Sequence, residues 1–292
     1  MKTHCYICRA PVAGPNAKSG DFSVNRCSAC GLIWVEGVSE EIIRAFYGQK
    51  YFNNAGSQMG YKDYITDEKN HRRNARSILY AAGKIKDLRN ATVLDIGCAF
   101  GFLLDEAKKA GINGLYGVEV SSYAGGYAKD KLGLKNITTD IMLENFESDI
   151  FDAVFIVGTI EHLISPREVL NSIGRVLKEG GILVITTIDT KGMIPLYSIK
   201  PPEHIFYFNH NNLSLLLEEA GLEPLSRKAY HVSYYLHDLI YRLGEFLSMP
   251  FMKNISSIFN RCFTFPVRIP TNEMIIIAKK SAEIRTGRLR DL

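Results

Sequence analysis

At 292 residues the chain exceeds one ordinary domain, so a core with attachments is the expectation. A hydrophobic share of 46% with 23% charged residues excludes a chain too polar to build a core. The formal net charge of +4 is too mild to demand a nucleic acid or an anionic membrane as partner. No apolar run reaches bilayer-spanning length, and Met1-Lys2-Thr3-His4-Cys5 carries no apolar signal region. Cytoplasm is therefore the expected compartment, where paired cysteines point to metal rather than to disulfides.

Cys5-x2-Cys8 and Cys27-x2-Cys30 lie 18 residues apart. Each pair fits a tight turn with both sulfurs directed at one point, giving a four-thiolate tetrahedral site for zinc. Four protein ligands leave no open position, so the zinc is expected to be structural. The stretch from Ala10 to Asp21 is rich in Gly, Pro, Asn and Ser and builds little core, so metal would supply much of the local folding free energy. Four unrelated thiols or a redox motif are the alternatives.

Residues 38–89 read as helical and partly charged, with Ser39-Glu40-Glu41 suited to a helix start. Tyr47, Tyr51, Phe52, Tyr61 and Tyr64 form an aromatic segment between two helices, the second running from Asp67 to about Ala82. His71, Arg72, Arg73 and Arg76 on that helix read as a solvated face.

Val93-Leu94-Asp95-Ile96-Gly97-Cys98-Ala99-Phe100-Gly101 reads as a buried strand, a tight turn and a helix start. A dinucleotide pyrophosphate favours G-x-G-x-x-G and bare N–H groups. Here the glycines are four apart and a carboxylate precedes them, which would repel a pyrophosphate and suit a ligand ammonium group. Glu119 ends the next strand, Gly114 to Val120, about 20 residues on, the spacing of an acid that holds ribose hydroxyls. A helix from Ser122 to about Gly133 and a third strand, Lys135 to Thr139, lead to Asp140, whose alternative role is a turn acid. A fourth strand, Asp152 to Val157, precedes Gly158-Thr159-Ile160-Glu161-His162, and such loops face the ligand in open parallel sheets. A helix from Pro166 is expected to end at Gly180-Gly181, ahead of a buried strand from Ile182 to Ile188. A long loop then ends in Glu203-His204-Ile205-Phe206-Tyr207-Phe208, and His210 starts a helix that Asn211 and Asn212 could cap. Two amphipathic stretches follow within 232–270, and Asn272 to Ala278 is the expected final strand, antiparallel at the sheet edge.

Asp95-x-Gly97-x-x-x-Gly101, Glu119, Asp140, Phe151-Asp152-x-Val154 and Leu177-Lys178-x-Gly180-Gly181 follow one another in order. The series resembles the class I S-adenosylmethionine (SAM)-dependent methyltransferases over residues 90–190, resuming at 204–222 and 272–280. The resemblance implies an α/β fold with a Rossmann-like seven-stranded sheet, a small N-terminal four-cysteine zinc ribbon and a helical insertion before the last strand. The implied division is 1–37 ribbon, 38–89 helical cap, 90–231 SAM-binding core, 232–270 helical insertion, 271–280 final strand and 281–292 flexible tail. The insertion is read as a substrate lid, with a dimer contact or a membrane-surface patch as alternatives. The cofactor would touch Asp95, Gly97, Cys98, Ala99, Gly101, Glu119, Val120, Asp140, Ile141 and Gly158, with Asp140 on the adenine amino group and Ile141 against its ring.

Glu161-His162 resembles the loop of ubiquinone-biosynthesis-type small-molecule methyltransferases. His162 is one candidate general base and His204 the second, since a histidine's ordinary pKa lies near working pH. The alternative for His162 is an orienting side chain. The expected function is methyl transfer to a hydroxyl of a small molecule, sugar or glycan. A zinc-bearing start on such a core also resembles sugar methyltransferases of deoxysugar pathways, without their large C-terminal domain. The competing readings are an RNA methyltransferase whose ribbon grips RNA and a non-catalytic SAM-binding or zinc scaffold.

Overall fold

The computed structural model describes residues 4–52, 64–192, 198–235, 240 and 266–281. The chain opens with three short antiparallel strands, β1 (Ala17–Ser19), β2 (Phe22–Arg26) and β3 (Ile33–Glu36), with Cys5 and Cys8 before β1 and Cys27 and Cys30 between β2 and β3. Helices α1 (Glu40–Phe46), α2 (Gln49–Phe52) and α3 (Glu68–Gly83) follow. Ser39 caps α1 by accepting from the Ile42 N–H, as its position before two glutamates implies.

The core then alternates strand and helix: β4 (Thr92–Ile96), α4 (Phe102–Lys109), β5 (Gly114–Val118), α5 (Ser122–Leu132), β6 (Asn136–Thr138), β7 (Phe151–Val157), α6 (Pro166–Val176) and β8 (Leu177–Ile188). After the two-residue β9 (Phe206–Tyr207) come α7 (His210–Glu219), β10 (Leu222–Tyr235) and β11 (Pro266–Lys280). Seven strands form one sheet in the order β10-β11-β8-β7-β4-β5-β6. Strands β4 to β8 run parallel, whereas β11 is antiparallel to both of its neighbours. The apolar residues of β4 and β7 are buried on both faces, as central parallel strands require: Val93, Leu94, Ile96, Val154, Phe155 and Ile156 are all fully covered. The Rossmann-like seven-stranded sheet expected from the sequence is therefore present.

Several boundaries differ from expectation for local reasons. Helix α6 stops at Val176, and the chain enters β8 at Leu177 rather than after the two glycines. Gly180 and Gly181 instead sit where the β7–β8 register shifts, and a Cβ on Gly181 would lie 2.8 Å from the Lys178 carbonyl. The final strand is one position inside the sheet, and β10 forms the edge. Strand β11 runs past the expected Asn272 to Ala278 at both ends and pairs with β10 as far as Tyr235 opposite Pro266, so 232–235 and 266–270 are strand and not helix. The rest of the expected insertion, except Ile240, and the tail beyond 281 lie outside the described residues. The N-cap of α7 is Asn209, which shares a capping box with Asn212.

The ribbon does not stand apart from the core. Ile7, Leu32 and Trp34 belong to the same buried cluster as Ile160, Phe206, Phe208 and Leu213. Strand β3 pairs with β9, so the small sheet has the order β1-β2-β3-β9 and reaches into the C-terminal half of the chain. No helix among the described residues is long and apolar enough to cross a membrane.

Gly101 caps α4 with φ at 80°, and a Cβ there would lie 2.5 Å from Leu134 Cδ1 and 3.1 Å from Ala128 Cβ. Its role is close approach to α5 and the strand beyond it. Gly101→Ala is expected to lose about 1–2 kcal/mol from the left-handed backbone alone, read as a lower urea midpoint with an unchanged slope.

Candidate active site

The carboxyl ends of β4, β5 and β7 meet at one cavity of about 540 Å³, a size suited to a small-molecule ligand. Its floor is the glycine turn. Gly97 has φ at 76°, and a Cβ there would fall 2.3 Å from Thr159 Oγ1, so only glycine fits. The N–H groups of Gly97 and Cys98 both donate to the Val118 carbonyl, at 2.8 and 3.0 Å, which folds the turn over β5. Ala99 also takes a left-handed backbone, φ 47°, and its N–H donates to Glu119 Oε2 at 2.9 Å. Glu119 Oε1 accepts from the Ser121 N–H at 2.7 Å. Burial raises the Glu119 carboxyl while these N–H groups act against it. Each oxygen retains a lone pair for a ligand hydroxyl.

Asp95 lies behind this turn and is 3% exposed. Its Oδ1 has no hydrogen-bond partner. Burial, with the Glu119 charge adding to it, pushes the carboxyl up to about 8. A ligand cation at the turn would supply the missing partner. Gly97, Ala99, Glu119, Val120, Ile141 and Gly158 line the cavity, joined by Thr139, Met142 and Thr159. Cys98, Gly101, Asp95 and Asp140 are not on its wall. Cys98 is buried, and Asp140 Oδ2 accepts from the Asn145 N–H and side-chain amide at 2.9 and 3.0 Å, a turn role that leaves Oδ1 for a ligand.

The other wall comes from distant parts of the chain. Ile43, Tyr47, Tyr51, Phe52 and Tyr64 form a roof, opposite His162, Leu163, Ser165 and Val169. The roof is pinned to the glycine turn because Phe52 packs on the buried Phe100, ring centroids 5.3 Å apart. His162 Nδ1 sits 2.5 Å from the Glu203 carbonyl oxygen and 2.8 Å from the Tyr47 hydroxyl. A carbonyl only accepts, so Nδ1 carries the proton and Nε2 of the neutral ring carries the lone pair. The His204 ring lies edge-on to His162 with centroids 4.8 Å apart. Burial, aided by the charge of Lys200, drives His204 down to about 3. Glu161 is buried, its Oε2 accepts from the Thr187 hydroxyl at 2.8 Å, and its carboxyl is raised by burial.

Glu161, His162 and His204 bring ligating atoms within 4.8 Å of one another, as do Cys5, Cys8, Cys27 and Cys30. In the cysteine group, Cys5 Sγ is 3.6 Å from Cys30 Sγ, and Cys8 Sγ is 3.5 Å from Cys27 Sγ. Tetrahedral zinc with bonds of about 2.3 Å separates its sulfurs by about 3.8 Å. The donor set and its spacing fit that ion.

Of the residues expected at the site, Glu119 and His162 both line the cavity, whereas Tyr47 as a partner of His162 and Glu203 as the acceptor that orients it were not anticipated. The signal for Tyr47 was only its place in an aromatic segment, and a carbonyl acceptor leaves no mark in a sequence.

Because folding raises Asp95, the folded chain holds a proton that the unfolded chain has lost between about pH 4 and pH 8. The Asp95 contribution to stability therefore falls as pH rises through that window and is flat above it. Asp95→Asn is expected to gain melting temperature over the native chain, and to gain more at pH 8 than at pH 5. Equal gains at both pH values would contradict the placement of a buried, unpartnered acid.

A family model described as a methyltransferase domain matches residues 66–227, more than half of the chain. A ubiquinone biosynthesis O-methyltransferase of Dictyostelium discoideum is 27% identical over 134 residues, covering 41% of this chain and 42% of that protein. The corresponding protein of Dinoroseobacter shibae is 26% identical over 154 residues, covering 47% and 61%. The chain thus spans about half the length of these relatives. Among solved structures, one from the complex between the Haloferax volcanii Trm112 methyltransferase activator and the putative methyltransferase aligns with a TM-score of 0.55 at 17% identity, over 75% of this chain and 93% of that one. The glycine turn, the acid on β5 and the sheet order agree with the family that these similarities mark, and the chain belongs to the class I SAM-dependent methyltransferases.

Proposed function

We propose that the chain transfers a methyl group from SAM to a hydroxyl of a small-molecule, sugar or glycan acceptor. The observation that carries this reading is that one cavity is lined both by the Gly97 turn with Glu119 and by His162, whose Nδ1 hydrogen is directed at the Glu203 carbonyl. When bound, SAM supplies a methyl group already activated by a positive sulfur. Asp95 offers a buried carboxylate oxygen to the amino-acid end behind the glycine turn, and Glu119 offers its remaining lone pairs to the ribose hydroxyls. Val120, Ile141 and Met142 on the cavity wall would give the adenine an apolar bed, and Asp140, next in sequence to Ile141 but off the wall, keeps Oδ1 free of the Asn145 turn.

The roof formed by Tyr47, Tyr51 and Phe52 excludes water from the acceptor. His162 Nε2 would accept the hydroxyl proton as the acceptor oxygen bonds to the methyl carbon and that carbon's bond to sulfur breaks, leaving a neutral thioether, and the resulting imidazolium keeps its Nδ1 hydrogen on the Glu203 carbonyl. His204 is too weak a base at neutral pH for that task and lies off the cavity wall, packed edge-on against His162. Cys5, Cys8, Cys27 and Cys30 would hold a structural zinc, which would supply a closed cross-link and no reactive position.

His162→Asn is expected to lower kcat about 10²–10⁴-fold while SAM affinity stays unchanged, in assays of labelled SAM with metabolite and glycan pools. A variant as active as the native chain would remove His162 from the reaction. Glu119→Ala is expected to lose SAM binding by calorimetry while its circular dichroism stays native. Undiminished binding would place the ribose elsewhere. Elemental analysis of the purified chain is expected to find one zinc per chain.

A further inference from the structure

The four-cysteine unit makes more contacts with the core than a self-contained metal knuckle requires. Its strand β3 pairs with β9, Ile33 opposite Tyr207 and Trp34 opposite Phe206, and the Val35 N–H donates to the Ile205 carbonyl at 2.8 Å. On its other side the same segment is held by the Ile205 N–H donating to the Glu161 carbonyl at 2.8 Å. The segment is therefore strung between the ribbon and the loop that carries His162. Glu203, two residues before Ile205, supplies the carbonyl that orients His162.

Both cysteine pairs are fastened to elements beside this segment. The Cys30 carbonyl accepts from the side-chain amides of Asn209 and Asn212 at 3.1 and 3.4 Å, the two residues of the α7 capping box. A Cβ on Gly31 would sit 3.2 Å from Asn209 Nδ2, so the approach is close. Between Cys5 and Cys8, the Tyr6 carbonyl accepts from the Arg167 guanidinium at the start of α6. The Tyr6 hydroxyl accepts from the Arg167 N–H at 3.1 Å, and the Tyr6 ring packs on Phe206 with centroids 4.9 Å apart. One ion holding all four sulfurs would thus fix α6, α7 and β9 relative to one another. The ribbon strands pair with none of β4 to β7, where the glycine turn and Glu119 reside.

We propose that the metal-loaded four-cysteine unit is a positioning element of the acceptor half of the site: it holds the Glu203–Phe208 segment, and through it the orientation of His162, while the SAM half stands without it. The inference rests on the zinc reading above and names a function for that metal beyond local folding. Loss of metal would free the second wall of the cavity and leave the first in place.

Trp34 is the single tryptophan of the chain, is 2% exposed and sits at the β3–β9 joint, so its fluorescence reports on that joint directly. The test uses the full chain as purified, the same chain stripped with a zinc chelator, and Cys8→Ser. Metal content is measured first, since a purified chain without zinc overturns the zinc reading and this inference with it. With zinc shown, stripping is expected to red-shift the Trp34 emission and speed amide exchange in residues 203–208 at least about tenfold. Exchange in residues 93–97 and the affinity for SAM are expected to stay unchanged, and added zinc alone to restore the native signals. Cys8→Ser is expected to resemble the stripped chain. Unchanged Trp34 emission and exchange at 203–208 would overturn the proposal, with the zinc reading intact. Equal loss of protection in both segments, with loss of SAM binding, would overturn it as well, because the metal would then support the whole fold.

Discussion

The structure is organised around an acid that the fold buries without a partner. Asp95 lies one residue before the end of β4, an inner strand of the sheet, beneath a turn that only glycine can make, and faces the charge of Glu119. Ionising a carboxyl in such a place costs free energy unless a cation or hydrogen bonds offset it. Evolution has no need of this arrangement for stability, since an amide or an apolar residue would fill the same space at lower cost. It makes sense as a site completed by a positively charged ligand. The backbone around it is built to the same end: Glu119 is tied to Ala99 and Ser121, which holds the turn open in the conformation that a ligand would meet.

The two halves of the cavity are built in different ways. The wall that the proposed function assigns to SAM is nearly local. It uses the turn after β4, the end of β5 and the residues after β6, all held by one continuous parallel sheet. The wall assigned to the acceptor comes from α1, α2 and the loop after β7, and behind that loop lie the segment around β9 and the four-cysteine unit. A rigid donor site shared across a family and a separately assembled acceptor wall let one fold serve many acceptors. This division explains why the first half is the more easily recognised.

The same division governs what was legible in the sequence. Strands β4 and β7 were plain because burial on both faces demands an unbroken apolar run, and the glycine turn was plain because its residues are adjacent. The cysteine pairs were plain because ligand spacing is local. Strand β9 was not, since it has two residues and its partner β3 lies about 170 positions away. The end of α6 was misplaced because Gly180-Gly181 reads as a helix stop, whereas the strand begins earlier and the glycines absorb a register shift. The extension of β10 through Val232-Ser233-Tyr234-Tyr235 was hidden because the expected helical insertion, whose apolar spacing begins at Leu236, was started at 232. What fixed it was tertiary: Asn74 on α3 accepts from the Ser233 N–H at 2.9 Å, as a neighbouring strand would. His162 and His204 could not be told apart by residue type. Their difference lies in the Glu203 carbonyl at one ring and in the burial of the other.

The central claim is that the cavity at the tips of β4, β5 and β7 is the seat of a sulfonium donor. A crystal structure of the chain with S-adenosylhomocysteine tests it most directly. The account predicts the amino-acid end of the ligand at the Gly97 turn beside Asp95, its ribose hydroxyls on Glu119 and its adenine between Val120 and Ile141. A ligand bound elsewhere, or a phosphate group at the turn in its place, would contradict it.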